Sequence, residues 1–268
     1  MGVVVVVLIA CFIVFSFYRA ERQKNVDQLL SENGDVLLFA DELVRTYLGG
    51  VVEDLLVVSH SRSLRDYIED PADAKRLRFL QDLRNLSLHK KEYAQLRYLD
   101  VNGQEQVRVD SGGQAVPVDK LQNKLSRYYF TEGMRVASGT IYISPVDLNM
   151  ENGQVQLPRV PMIRFVLPID DPERGRLGVM VLNFNARQLL ERLRLMGNDA
   201  EANVELVNEA GYWLVHPDSA MEWGFMFPEG ANLSMQKLHP ACWQQMFGTV
   251  VGYGEGGGEC SVLEAHTY

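Results

Sequence analysis

Residues 93–110 read YAQLRYLDVNGQEQVRVD, and this stretch decides the architecture. Over 93–100 apolar and polar side chains alternate, the period of a half-buried strand. Asn102 and Gly103 then supply a hairpin turn, because both tolerate a positive φ. Residues 105–110 alternate again and return antiparallel to the first strand. A sheet begins here, and what precedes it is helical.

Upstream, apolar residues recur at threes and fours: Leu29, Leu30, Val36, Leu37, Leu43, Val44, Tyr47 and Leu48, then Val51, Val52, Leu55 and Leu56. That spacing predicts one long helix over 19–69 with an apolar stripe, weakened or kinked at Gly49 and Gly50. A helix of this length cannot bury itself in one small domain, so it runs along a domain or pairs with a copy of itself. Asp70 and Pro71 end it, and Pro71 suits the first turn of the next helix. Leu77, Leu80, Leu83 and Leu86 extend that second helix to about Lys91.

Downstream, residues 121–134 read as a short helix or structured loop, and 139–146, 162–168 and 177–184 as strands. Residues 186–196 form a helix with Leu189, Leu190 and Leu193 inward. A weaker copy of the pattern follows. It has strands at 203–208 and 212–216, a short apolar piece at 224–227, a helix at 238–247, and strands at 250–253 and 261–268. The last strand meets the chain end without a neighbour, and sheets of this kind need neighbours. The second module is therefore expected to be cut short.

The chain carries a net charge of −9 over 268 residues. An acidic surface repels phosphate backbones, so no nucleic-acid partner is expected. No G-x-S-x-G, H-E-x-x-H or phosphate-loop pattern occurs. The glycine-rich GEGGG at 254–258 lacks the Lys and Ser/Thr of a phosphate loop. No catalytic residue is singled out and no cofactor is expected. His60, His89, His216, His239 and His266 are scattered, and no Cys/His cluster has zinc spacing, so no metal site is expected either. Cys242 and Cys260 could pair in an oxidising space; the simpler reading is two unpaired thiols.

Residues 3–18, VVVVVLIACFIVFSFY, hold no charge, Pro or Gly. A bilayer core needs roughly 17–25 apolar residues, and no small-x-small cleavage site precedes Arg19. Residues 1–18 are therefore expected to be an uncleaved transmembrane anchor that ties the chain to a membrane. Arg19, Arg22 and Lys24 follow the run, and the positive-inside tendency alone would put the body in the cytoplasm.

The order of elements is a long helix, a strand pair, a helix, three strands, a helix and a second, smaller strand pair. It resembles a double Cache domain: two PAS-like modules on one long N-terminal helix. The residues carry the likeness further. LRYLDVNGQEQVRVD (96–110), LQNKLSRYYF (121–130), IYISPVDLNMENG (141–153), PMIRFVLPI (161–169) and GVMVLNF (178–184) resemble the sensor regions of bacterial histidine kinases and diguanylate cyclases. GYWLVHPDSAMEWGFMF (211–227) resembles the membrane-proximal module of the same group. The resemblance implies an α+β fold: an N-terminal transmembrane helix, a long stalk helix and two tandem PAS-like (Cache) modules, each with an antiparallel sheet. It assigns 1–18 to the anchor, 19–91 to the long helical segment, 92–197 to the membrane-distal module and 198–268 to the membrane-proximal module. It also implies a periplasmic body held at the inner membrane, a homodimer, and a cytoplasmic output domain absent from this stretch.

In such receptors the distal module holds the ligand. Arg127 beside Tyr128 and Tyr129 offers a guanidinium fork next to two aromatic walls, and the fork matches both oxygens of a carboxylate. Tyr142, Ser144 and Asp147 nearly alternate along one strand and its end, and Asp147 can accept from an amine. Arg164 sits mid-strand between Ile163 and Phe165, so its charge needs a partner if it faces inward. Amino-acid-sensing members resemble this layout, but they set an Asp where Asn183 stands here. Without that negative charge an ammonium group is held less well, which leaves a small carboxylate or another polar metabolite equally open. Each residue also has a structural reading: Arg127 and Arg164 as ion pairs with Asp147 or Asp110, the tyrosines as core or rim, and Asp147 with Asn149 as a turn device.

The expected function is extracytoplasmic sensing of a small molecule, a carboxylate or amino-acid-like metabolite. Binding would close the distal module and shift the long helix. The alternatives are a dimerisation spacer without a ligand and, further off, a membrane-anchored periplasmic hydrolase.

Overall fold

The structure, a computed structural model, describes residues 2–151, 153–199 and 204–247. Helix α1 (Gly2–Ser59) runs through Gly49 and Gly50 without the expected break. Each glycine costs a helix about 1 kcal/mol, and the burial of Val51, Leu55 and Val58 just beyond them offsets that. The helix ends at Ser59 rather than at 69. Ser61 turns to an extended conformation (φ −64°, ψ 146°), and its side chain accepts from the Leu64 N–H at 3.3 Å, capping α2 (Arg62–Glu69). Helix α3 (Asp73–His89) follows, with Pro71 before it and not in its first turn.

One expectation is overturned here. Among the described residues no helix is long and apolar enough to cross a membrane, so the transmembrane helix assigned to 1–18 is corrected. The uncharged run at 3–18 stops short of the roughly 17–25 residues a bilayer core needs. It passes at once, within the same helix, into Arg19, Glu21, Arg22 and Lys24.

The first module is an antiparallel sheet. Its strands are β1 (Tyr93–Asp100), β2 (Glu105–Asp110) and β3 (Gln114–Ala115). After helix α4 (Tyr128–Arg135) come β4 (Tyr142–Ile143), β5 (Asp147–Leu148), a small pair β6 (Met150–Glu151) and β7 (Gln154–Val155), and the long β8 (Pro161–Asp171) and β9 (Gly175–Asn185). The spatial order is β3-β2-β1-β9-β8, with β4 and β5 sharing the outer edge of β8. The strand expected over 139–146 is thus only two residues long. The helix expected within 121–134 begins only at Tyr128, and 121–127 is loop. The β1–β2 hairpin forms where Asn102 and Gly103 predict it. Gly103 takes φ 72°, and the Asp100 carboxylate accepts from the N–H groups of Asn102 and Gln104 at 2.8 and 3.0 Å.

Strand alternation splits the sheet into two faces. Leu96, Tyr98, Val107, Val109, Phe165, Met180, Leu182 and Phe184 pack against α1, α3 and α5 (Arg187–Asp199) in the main core. Leu99, Val166, Val179 and Val181 face the other way, where Tyr129 and Phe130 of α4 cover them. Helix α1 is tied to the first face by polar contacts as well. Asp54 accepts from the Tyr93 hydroxyl at 2.5 Å and pairs with Lys90 at 2.9 Å.

The second module holds β10 (Leu206–Val207) and β11 (Trp213–Val215), a two-stranded sheet, then α6 (Met235–Leu238) and α7 (Pro240–Phe247). Its core centres on Trp213 and Trp223. The strands expected at 250–253 and 261–268 lie outside the described residues. Cys242 is buried and disulfide-bonded, which corrects its reading as an unpaired thiol; Cys260 lies outside the described residues. The fold is thus α+β with two sheet modules.

The turn between β8 and β9 carries a pH prediction. Asp171 is held down to about 2, first by a hydrogen bond from the Arg174 side chain and then by the N–H groups of Arg174 and Glu173. A depressed carboxyl contributes stability that is present above its unfolded value, about 3.9, and lost as pH falls through the folded one. A carboxyl-detected NMR titration should therefore find Asp171 ionised at pH 3 and titrating near 2. A midpoint near 3.9 would mean that the turn is open in solution.

Candidate functional site

The polar face of the sheet, under α4, gathers the charged side chains of the first module. Arg164 on β8 is 3% exposed and pairs with Asp147 at 2.7 Å. The Tyr128 hydroxyl donates to the same carboxylate at 2.9 Å and accepts from Arg164 at 3.1 Å. Burial would weaken the Arg164 charge, but Asp147 together with the Tyr128 and Tyr129 hydroxyls outweighs that and raises its pKa. Loss of hydration pushes the Tyr128 hydroxyl up to about 12, with Arg164 opposing and Asp147 adding to the rise.

A second group lies beside the first. Arg97 on β1 is 2% exposed. It donates to Asn183 at 2.8 Å, to the Tyr129 hydroxyl at 3.2 Å and to Glu105 at 3.4 Å. Asn183 in turn donates to Gln95 at 3.0 Å. The two groups meet at Tyr129, whose ring centroid is 5.4 Å from both the Arg97 and the Arg164 guanidinium carbons. Register explains the meeting: Arg164 is paired with Asn183, and Asn183 with Gln95, across three adjacent strands. Burial would raise the Tyr129 phenol, but Arg97, Lys124 and Arg164 together draw it below the usual tyrosine value. Lys124, half-buried beside them, is lowered by burial first.

The sequence-derived candidates fall out as follows. Tyr128, Asp147 and Arg164 form one contact set, and Tyr129 and Asn183 join the other. Ser144 is buried, but its hydroxyl serves the backbone: it accepts from the Arg164 N–H and donates to the Pro145 carbonyl, both at 2.9 Å. Tyr142 is partly buried against the cluster around Val166, and its hydroxyl is raised by burial. Arg127 stands at the N-cap of α4 with its guanidinium carbon 6.0 Å from the Tyr129 ring centroid, so it edges the site. Of the two structural partners weighed for Arg164, Asp147 is the actual one.

Arg97, Lys124, Glu105 and Gln95 were not picked out from sequence. The signal for Arg97 was present, since a charge between Leu96 and Tyr98 in a strand meets the same test applied to Arg164. Glu105 gave none. It is fully buried because the ladder shifts between Tyr98 and Leu99, and it accepts from the Gln122 N–H at 3.0 Å.

The face is closely covered. A Cβ on Gly133 of α4 would lie 2.3 Å from Val166 Cγ1, so α4 sits on β8 at a distance only glycine allows. The Arg97 Nε–H is buried and has no hydrogen-bond partner, an unusual state for a buried donor.

Comparison with known proteins gives the relatives of this arrangement. Residues 43–267 match the family described as "Bacterial histidine kinase, sensor domain". A domain of a Vibrio parahaemolyticus protein, described as of the sensory box/GGDEF family, is 26% identical. It superposes with a TM-score of 0.73 over 87% of this chain and 88% of its own. The extracellular domain of the histidine kinase vpHK1S-Z8 is 25% identical, with a TM-score of 0.72 over 87% and 84%. The ligand-binding domain of the Pseudomonas aeruginosa amino-acid chemoreceptor PctC, solved with GABA, shares 15% identity and a TM-score of 0.53 over 77% and 80%. At that identity it shows the fold alone. No curated protein sequence matches the chain.

Proposed function

The chain belongs to the bacterial histidine kinase sensor-domain family, and from that premise we propose that its first module captures a small organic anion on the polar face of the sheet. The stretch matched is a sensor domain and not a catalytic one. The observation that carries the ligand reading is the gathering of Arg97, Arg164 and half-buried Lys124 around one tyrosine, with a buried Arg97 donor left unpartnered. Guanidinium groups bind carboxylates through matched pairs of hydrogen bonds. Amines fit less well, since Asn183 carries no charge and Asp147 is already paired with Arg164. That PctC is a receptor solved with GABA agrees with a small polar ligand for this fold.

In this reading residues 92–197 are the ligand-binding module and 198–268 the second module, both standing on the helical segment 19–91. Entry of the ligand lifts α4 from the sheet, since the face is filled in the described state. The signal crosses the sheet through neighbouring residues of β9. Asn183 faces the site, and Phe184 meets Tyr47 of α1 edge-on, with centroids 6.5 Å apart. A ligand that prefers one arrangement of α4 thereby biases α1. Exposed Leu38, Phe39 and Val57 on α1 support pairing with a second copy. The Cys242 disulfide and the extracellular origin of the vpHK1S-Z8 domain support a body outside the cytoplasm.

A thermal-shift screen against carboxylates, amino acids, polyamines and nucleobases tests the reading. A carboxylate present at about a hundred times its Kd should raise the melting temperature by roughly 5–10 °C. Lys124→Ala and Arg164→Ala should abolish that shift in chains that still melt cooperatively. Stabilisation by polyamines alone, or a carboxylate shift that survives both substitutions, would refute an anion site here.

A further inference from the structure

Between the two modules lies a cleft of about 370 Å³, separate from the polar face described above. Leu190 of α5 with Leu214 and Trp223 of the second module give it a small apolar patch, and its charged lining is Arg159, Arg187 and Arg194 with Glu191 and Glu222. A cleft of this size is large enough for a small ligand.

The three arginines are not equivalent. Arg194 is engaged: it donates to Glu222 and, at 2.6 Å, to the His216 carbonyl, so it clamps α5 to the second module. Arg159 and Arg187 have no carboxylate within ion-pair distance among the described residues. The Arg159 guanidinium lies over the Phe227 ring at 4.8 Å, and Arg187 donates to the Arg159 carbonyl. Both carboxylates of the cleft, Glu191 and Glu222, are paired with Arg194, which leaves Arg159 and Arg187 as two like charges beside the apolar patch without an ion pair of their own. The patch carries a second mark. Trp223 adopts φ 65°, the one non-glycine residue with positive φ among those described. A bulky side chain rarely takes that conformation, and such strain gathers at ligand clamps and switch points. The neighbouring Glu222, held by Arg194 and the His216 N–H, fixes the strained turn.

We propose that this cleft is a second ligand site, for an organic anion that joins a carboxylate to an apolar, ring-sized body. The carboxylate sits between Arg159 and Arg187, and the body lies on Leu214 and Trp223. Because one wall belongs to each module, a molecule bound there touches both and favours the arrangement in which they are closed together. The site is independent of the one on the sheet.

Phenylacetate is the probe, and phenylacetamide is its uncharged counterpart. Each is titrated calorimetrically into the full chain. Phenylacetate should bind, and phenylacetamide should bind at least tenfold more weakly. The double variant Arg159→Ser/Arg187→Ser should lower phenylacetate affinity at least tenfold, and Arg62→Ser, which removes an exposed arginine of α2, should leave it unchanged. If the double variant does not fold, the ratio of acid to amide on the unaltered chain still decides. No phenylacetate binding, equal binding of the amide, affinity kept in a folded double variant, or affinity lost in Arg62→Ser would each overturn the proposal.

Discussion

Replacing Arg97 with methionine should destabilise the sensor by about 3 kcal/mol, a large share of the roughly 5–15 kcal/mol that holds a domain folded. The size follows from what the arginine leaves behind. Glu105 has a fully buried side chain, and Arg97 is one of its two cationic neighbours, at 3.4 Å; the other, Arg108, is at 3.8 Å. Removing one partner of a buried pair costs about 3–5 kcal/mol, because the remaining charge cannot regain its hydration. Arg108 and the Gln122 N–H still serve Glu105, which places the expectation at the lower end. Asn183 and Tyr129 lose their hydrogen-bond donor as well. Neutralising the survivor should recover part of the loss: Arg97→Met/Glu105→Gln should lie above the sum of the two single variants by roughly 1–3 kcal/mol. Urea unfolding at pH 7 of the four proteins measures this. An Arg97→Met chain within 1 kcal/mol of the parent would mean that the network is not formed in solution.

Gly178→Ala should cost a comparable roughly 2–6 kcal/mol, by a different mechanism. Gly178 sits in the middle strand of the sheet, opposite Asp100 of β1 and Ile169 of β8. Its φ is 149°, and an added Cβ would lie 2.1 Å from the Leu99 carbonyl oxygen and 3.0 Å from Asp100 Cα. Both are backbone atoms held by ladder hydrogen bonds, so neither can turn away as a side chain would. The methyl must part β1 from β9 at the Asp100–Gly178 pair, in the same ladder that carries Arg97 and Asn183. Gly49→Ala is the matched control. A Cβ there meets nothing within 4 Å, and alanine is the better helix former by about 1 kcal/mol, so that variant should be neutral or more stable. Thermal melts of both, with binding of any ligand found by the screen, decide the matter. A Gly178→Ala chain that melts like the parent would mean that β1 and β9 pair in another register.

Much of the first module could be read from residues alone, because its signals are local. The turn residues Asn102 and Gly103 and the period of two around them placed the β1–β2 hairpin, and the helical stripe from Leu43 to Leu56 placed the buried side of α1. Arg164 declared itself as a charge in a buried strand, and Asp147 was already one of two partners weighed for it. Where a local cue competed with its surroundings, it misled. Gly49 and Gly50 suggested a kink that packing of Val51 and Leu55 prevents, and the uncharged run at 3–18 looked like a membrane span although charge follows it at once in the same helix.

By itself, then, the sequence determined the α+β order of elements, the two-module plan and the likeness to sensor domains, since hydrophobic period and turn chemistry act within a few residues. Only the tertiary structure decided which charges meet. Arg97, Asn183 and Tyr129 come from two strands and a helix far apart in the chain, and strand register brings them within hydrogen-bond reach. The burial of Glu105 follows from a one-residue shift in the β1–β2 ladder, and the cleft beside Trp223 from how α5 lies on the second module. A one-dimensional pattern states which face a side chain takes, but not what faces it across the sheet.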